Sequence, residues 1–190
     1  MKTFIIKSTI VAFISTFTFF ANAGFHLEPN LGHTLAGGWE QGNDDGDLSM
    51  LNIGVKLGYQ APIGIQVGGD IQSGVGSLDS GSNDADIVYA AVGPYIGYMA
   101  PFGLKVSFSY YLASQLELDS FADPTYSGNG FRLGAGYSFK RQGLSWLAVN
   151  LDYTLITYDE VDSDFSSSQS LSNDIDTDTI ILSVSFPFNF

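Results

Sequence analysis

Six charged residues sit where charge is costly. Glu28, Lys56, Asp70, Lys105, Arg132 and Asp152 each occupy the small, polar phase of a run whose other phase is apolar: Leu27 and Pro29 flank Glu28, Val55 and Leu57 flank Lys56, and Leu104 and Val106 flank Lys105. Three acids face three bases. Charges withdrawn from water persist only when paired, so the set reads as a salt-bridge network inside an enclosed lumen. Glu28, Lys56 and Lys105 are expected at one level, with Asp70, Arg132 and Asp152 above them. A satisfied polar core would plug that lumen. A gate would instead exchange ion-pair partners and open a narrow path for ions or small hydrophobic solutes. The plugged core is the favoured reading.

Other candidates are weaker. Asp44, Asp45 and Asp47 in "NDDGD", and the alternating Asp174, Asp176 and Asp178, have the oxygen-rich look of calcium contacts, but neither stretch has the full twelve-residue spacing of a calcium loop. They read as solvated acids with cation contact as the functional rival. His26 and His33 are separated by an odd number of residues, which places them on opposite faces of one strand, His26 inward and His33 outward near a rim. The sequence supplies no serine and acid at a height matching His33. Nothing resembles a phosphate loop, a zinc set or a nucleophile triad, so neither an enzyme nor a cofactor is expected.

The elements that would position these residues are strands. Eight alternating runs, roughly 25–35, 51–59, 63–71, 88–98, 104–112, 131–139, 147–155 and 180–190, share the period-two pattern, and no sustained helical period appears after residue 23. "GYQAPIGIQV" at 58–67 returns as "GYMAPFGLKV" at 97–106. Ala-Pro-x-Gly is turn chemistry, with Pro fixing φ and Gly accepting positive φ, so the repeat marks successive hairpins whose third member is the turn at 140–143. These short connections alternate with long polar ones, expected as loops at about 36–48, 73–86, 115–128 and 159–178.

Residues 1–23 have two lysines, an apolar stretch and the small-x-small end Ala21-Asn22-Ala23, the form of an export signal. The expected mature domain is 24–190. Seven basic residues stand against twenty acidic ones in the whole chain. Loss of Lys2 and Lys7 with the signal takes the net charge from −13 to −15, which disfavours nucleic-acid binding. There is no cysteine, so packing and backbone pairing must hold the fold.

A soluble sandwich or barrel also alternates. Here the bulky residues share one face while glycine and small polar residues share the other, as a lipid-facing cylinder requires. Aromatic residues gather at strand ends, with Phe25, Tyr59, Tyr98, Tyr137, Phe139 and Phe190 near the short turns and Tyr110, Phe131, Tyr153 and Tyr158 towards the long connections, as two interfacial girdles would. Seventeen of the twenty acids lie in the long connections. The expectation is an all-β, eight-stranded antiparallel up-and-down transmembrane barrel.

This pattern, with its terminal "FPFNF", resembles the small outer-membrane barrels of Gram-negative bacteria, the OmpA-domain and OmpX type. The resemblance implies residence in the outer membrane, short turns in the periplasm, long loops outside, and an assembly signal at Phe186, Phe188 and Phe190 read by the barrel-assembly machinery. Pro187 departs from the pattern by deleting a ladder donor close to the closing seam. The implied role is structural and interactive: a monomer in contact with outer-membrane lipid and lipopolysaccharide, presenting acidic loops to an extracellular partner, with divalent ions bridging those acids to lipopolysaccharide phosphates as a further option. A gated channel is the alternative. Lipid A modification through His33 stands third.

Overall fold

The computed structural model describes residues 24–42, 44–79, 84–119, 124–141, 144–163 and 166–190. The export signal expected at 1–23 lies outside them. Eight long antiparallel strands follow one another: β1 (Gly24–Gln41), β2 (Asp44–Gln60), β3 (Ile65–Asp79), β4 (Asp84–Met99), β5 (Leu104–Asp119), β6 (Thr125–Arg141), β7 (Leu144–Ser163) and β8 (Ser166–Ser185). Each pairs with the next, and β1 pairs with both β2 and β8, which closes the barrel. Closure leaves no unpaired sheet edge, the condition under which strands can cross a bilayer.

Side-chain orientation follows the alternation. Leu51 is 52% exposed on the outer surface, whereas Lys56 and Arg132 are 7% and 3% exposed inside. The inner-end girdle is in place: the Phe25 ring meets Tyr59 edge-on and packs near Phe190, each at 6.3 Å between centroids, and Tyr137 meets Phe139 at 5.2 Å. One girdle residue is reassigned. Tyr158 shares the phase of Asp152 and Thr154, so it points into the lumen and is buried.

Both copies of the repeated turn close as expected. The amide of Gly64 donates to Ala61 O at 2.8 Å and that of Gly103 to Ala100 O at 2.9 Å, with Pro62 and Pro101 at the second position. The two glycines have φ of 91° and 104°. Their carbonyls then accept from Met99 N and Ser138 N, joining each turn to the strand beyond its own hairpin, β4 and β6.

Pro187 does not disturb the seam. After β8 ends, β9 (Phe188–Asn189) resumes pairing with β1, Phe188 opposite Leu27 and Asn189 opposite His26. Phe186 N donates to Pro29 O at 3.0 Å, and Phe25 and Phe190 exchange both backbone bonds. Bonded and non-bonded pairs alternate along an antiparallel ladder, and Pro187 falls between bonded pairs, where β1 asks nothing of its nitrogen.

The expected long loops are largely strand. Strands of 15–20 residues exceed the roughly 9–11 residues a tilted strand needs to cross a bilayer, so the sheet continues beyond the membrane. The alternation persists there with its sense reversed. Leu48, Met50, Leu78, Ile87, Leu116, Ile156 and Ile175 point inward and are buried, while Glu40, Asp45, Asp47, Asp86, Glu117, Asp174, Asp176 and Asp178 point outward. Two bulges help the change of sense, because an extra residue shifts every later side chain to the opposite face. One lies at Leu35–Ala36 of β1, the other at Leu112–Ala113 of β5. Beyond them Trp39 and Leu116 reach the interior cluster.

Candidate functional site: the lumen and the outer rim

The barrel gathers all six charged residues singled out from the sequence inside the lumen, each at most 7% exposed. At the inner level Lys105 Nζ donates to Glu28 Oε1, which also accepts from Ser185 Oγ at 2.6 Å. His26 Nε2 lies 3.3 Å from Glu28 Oε2, and His26 Nδ1 meets Asn189 Oδ1 at 2.8 Å, so the closing segment is tied to the network. Higher up, Arg132 Nη2 pairs with Asp152 Oδ2 at 2.6 Å, and Ser183 Oγ donates to the same oxygen at 3.0 Å.

The remaining two charges join the levels instead of separating them. Lys56 and Asp70 are register partners across β2 and β3, because each stands four residues from the Gln60–Gln66 pair that closes the hairpin, so both lie at one distance from the short turn. Lys56 Nζ donates to Ser107 Oγ at 3.0 Å and lies 5.8 Å from the centre of the Tyr95 ring, within cation–π reach. Asp70 accepts from Ser109 Oγ at 2.6 Å, Tyr111 OH at 3.3 Å and Gln72 Nε2 at 2.5 Å. Glycine makes room for this crowding: a β-carbon on Gly134 would stand 2.5 Å from Asp152 Oδ1 and 2.6 Å from Ser107 Oγ. The serines and tyrosines of the network share the strand phase of the charges, a signal that single-residue reasoning passed over.

Above the charges the interior turns apolar. Tyr89, Tyr111 and Tyr158 pack with Leu48, Met50, Leu78, Ile87, Leu116, Ile156 and Ile175 into one cluster. A cavity of about 20 Å³ lies at the junction, bounded by Asn52, Gln72, Arg132 and Thr154 on one side and Leu116 and Ile156 on the other. That is room for one water. Chemically the lumen can hold charge in place; its described side chains fill it.

On the outer surface Asp45, Asp47, Asp174, Asp176 and Asp178 project away from the barrel, and Thr157 Oγ1 donates to Asp176 Oδ1 at 2.6 Å. The side chain of Asp44 lies outside the described set. Among the described residues no group of three His, Asp or Glu side chains converges as a metal site. His33 faces outward as expected, but it is not alone. Ser49 pairs with Ser77 and Ser77 with Asp86, and these three line one groove with His33. The pairing register across three hairpins sets this height match, and the strand phase of each residue alone does not reveal it. His33 Nδ1 bonds Met50 O at 3.1 Å, and Asp86 stands on β4, with β2 and β3 between it and His33. The set is therefore a polar rim and not a Ser-His-Asp triad.

The model of the outer membrane protein beta-barrel domain family matches residues 7–188. Neisserial surface protein A has a similar fold, with a TM-score of 0.56 at 13% identity over 86% of this chain and 97% of that one. Ail, the attachment invasion locus protein of Yersinia pestis, gives a TM-score of 0.51 at 12% identity over 88% and 99%. At these identities the likeness is one of fold. No curated protein matches the sequence.

Proposed function

The chain belongs to the outer membrane protein beta-barrel family and resides in the bacterial outer membrane, and from that premise we propose that it is a monomeric, non-conducting barrel that presents a rigid acidic surface outside the cell. The observation that carries this reading is the reversal of the sheet beyond the membrane: an apolar interior holds the strand extensions upright while Asp45, Asp47, Asp174, Asp176 and Asp178 face solvent. Carboxylates on an ordered sheet keep fixed spacings, which suits contact with a cationic partner or with divalent ions shared with lipopolysaccharide phosphates. Phe190 serves assembly.

The test compares cells carrying the native barrel with cells carrying the variant in which those five aspartates are changed to asparagine. Adhesion to cationic surfaces is measured with rising salt, beside resistance to detergent with EDTA. The variant is expected to lose salt-sensitive adhesion while remaining folded in the outer membrane. Unchanged adhesion and unchanged resistance would remove the surface role. The gated-channel alternative predicts discrete conductance steps in planar bilayers, and the packed lumen argues for none.

A further inference from the structure

The closing seam is short of one backbone bond at its inner end. The register that sets Asn30 opposite Ser185 and His26 opposite Asn189 also sets Pro29 opposite Phe186 and Glu28 opposite Pro187. Phe186 N donates to Pro29 O at 3.0 Å, but Pro29 has no N–H with which to return the bond. The pairs His26–Asn189, Glu28–Pro187 and Asn30–Ser185 are the non-bonded ones of this ladder, where facing side chains stand closest. All three share the inward phase.

Side chains bond here where the backbone does not. Ser185 Oγ donates across the seam to Glu28 Oε1 at 2.6 Å, and His26 Nδ1 meets the Asn189 amide at 2.8 Å. The same carboxylate oxygen accepts from Lys105 Nζ. Lys105 stands on β5, which in a closed ring of eight successive strands is four places from β1 in either direction, on the wall facing the seam. Glu28 therefore joins the seam to the opposite wall across the lumen. His26 fixes the hydrogens of this arrangement. Its Nε2 lies 3.3 Å from Glu28 Oε2, and neither atom has another hydrogen-bond partner among the described residues. A carboxylate paired with lysine only accepts, so Nε2 must carry hydrogen. Nδ1 is then left to accept, and the Asn189 amide, turned with its nitrogen towards the ring, donates to it. The three acids and three bases of the lumen already balance, so a neutral ring leaves no buried charge unmatched.

We propose that Glu28 braces the closing seam: Lys105 anchors it from the opposite wall, and it holds β8 through Ser185 and the segment after Pro187 through a neutral, Nε2–H His26 bonded to the Asn189 amide. Lys105 is the cation that lets the Glu28 carboxylate stay buried. The seam therefore locks only when the far wall is in place, and closure of the barrel is coupled to completion of its interior.

The test is amide hydrogen exchange, followed by NMR on the folded barrel in detergent micelles, beside the ring-nitrogen spectrum of His26. The amides of Phe186 and Phe190, both bonded to β1, report the seam, and the β3–β4 ladder is the internal control. Lys105→Met alters no residue that touches β8 or the segment after Pro187 except through Glu28, yet it is expected to raise seam exchange roughly tenfold relative to the control. Ser185→Ala should raise the same ratio alone and add little in the Lys105→Met background, because both act through one carboxylate. The His26 ring is expected in the neutral Nε2–H form. An unchanged ratio in Lys105→Met, or fully additive effects of the two substitutions, would overturn the brace, and a ring carrying hydrogen on Nδ1 would overturn the role given to His26. If Lys105→Met does not reach the folded, heat-modifiable form, Ser185→Ala and Asn189→Ala, each cutting one seam bond, decide by the same ratio: no rise in either removes the proposal.

Discussion

The two halves of this barrel solve opposite solvent problems with one continuous sheet. Within the membrane the outside must be greasy, so the polar phase is driven inward, where Glu28 pairs with Lys105 and Asp152 with Arg132 while Lys56 and Asp70 take neutral hydrogen-bond partners. Beyond the membrane the outside is water, so the carboxylates turn outward and the interior becomes an ordinary apolar core. The difference lies in what each interior demands. A paired polar core needs every partner, since losing one strands a buried charge, whereas an apolar core needs only volume. The membrane half should thus fail by electrostatics and the outer half by packing.

The largest expected effect comes from Arg132→Ala. Asp152 would remain buried with Ser183 but without its guanidinium, and breaking a buried pair costs about 3–5 kcal/mol. Urea unfolding of the barrel in lipid vesicles measures this. Combining Arg132→Met with Asp152→Leu should recover much of the loss. A double variant no more stable than the single one would show that the pair is not the unit that matters. Single-channel recording of the same Arg132→Ala protein should remain silent, because the tyrosine and aliphatic cluster lies above the vacated space; conductance steps would favour the gate.

Removing volume from the other half should cost less and act locally. Ile156 is 2% exposed within the outer cluster, and Ile156→Ala is expected to cost about 2–4 kcal/mol. The opening should be confined to the extension. Limited proteolysis should cut between β7 and β8 while heat-modifiable mobility, which reports the membrane half, persists. Simultaneous loss of both signals would mean that the sheet unfolds as one unit and that the two halves are not energetically separate.

The short-turn end offers a third comparison. Gly64 combines a φ of 91° with a neighbouring Met99 carbonyl that a β-carbon would meet at 2.2 Å. Gly64→Ala should cost about 1–3 kcal/mol. Gly42 at the opposite end has a φ of 64°, but a β-carbon there would meet only the side-chain amide of Asn173, at 3.1 Å, so Gly42→Ala should cost less. Equal costs would show that φ alone decides.

How far these halves were legible in the sequence follows from the same physics. Alternation with bulky residues on one phase exposes the membrane half directly, down to the phase of Lys56 and Arg132, because lipid imposes one rule on every strand. The outer half also alternates, as Leu48 and Met50 do against Asp47 and Ser49, but the acids around them carry the signature of loops. A strand whose apolar phase has changed sides reads as broken periodicity unless the bulge at Leu35–Ala36 or Leu112–Ala113 is located first. His26 shows the same limit at the site: its inward phase and its place beside Glu28, two residues on along β1, are evident, yet its contact with Asn189 depends on seam register, which no local pattern encodes. The groove at His33 required three hairpin registers at once.

The smallest expected effect tests whether the outer surface holds charge at a cost to stability. Glu40 on β1 pairs with Asp45 on β2 and with Asp176 on β8, and all three face outward in solvent. Like charges directly opposed across strands destabilise a sheet by a few tenths to about 1 kcal/mol each. Glu40→Lys would replace two repulsions by two attractions, one across the β1–β2 hairpin and one across the closing seam, so it should stabilise the extension modestly and slow its proteolysis at low salt. Salt of about 1 M, where screening acts over roughly 3 Å, should erase most of the gain. If Glu40→Lys leaves proteolysis unchanged at low salt, the repulsion is already relieved by solvent. If it slows proteolysis but also weakens adhesion to cationic surfaces, the acids of the extension are retained for contact at the expense of stability, which is the division of labour the two halves imply.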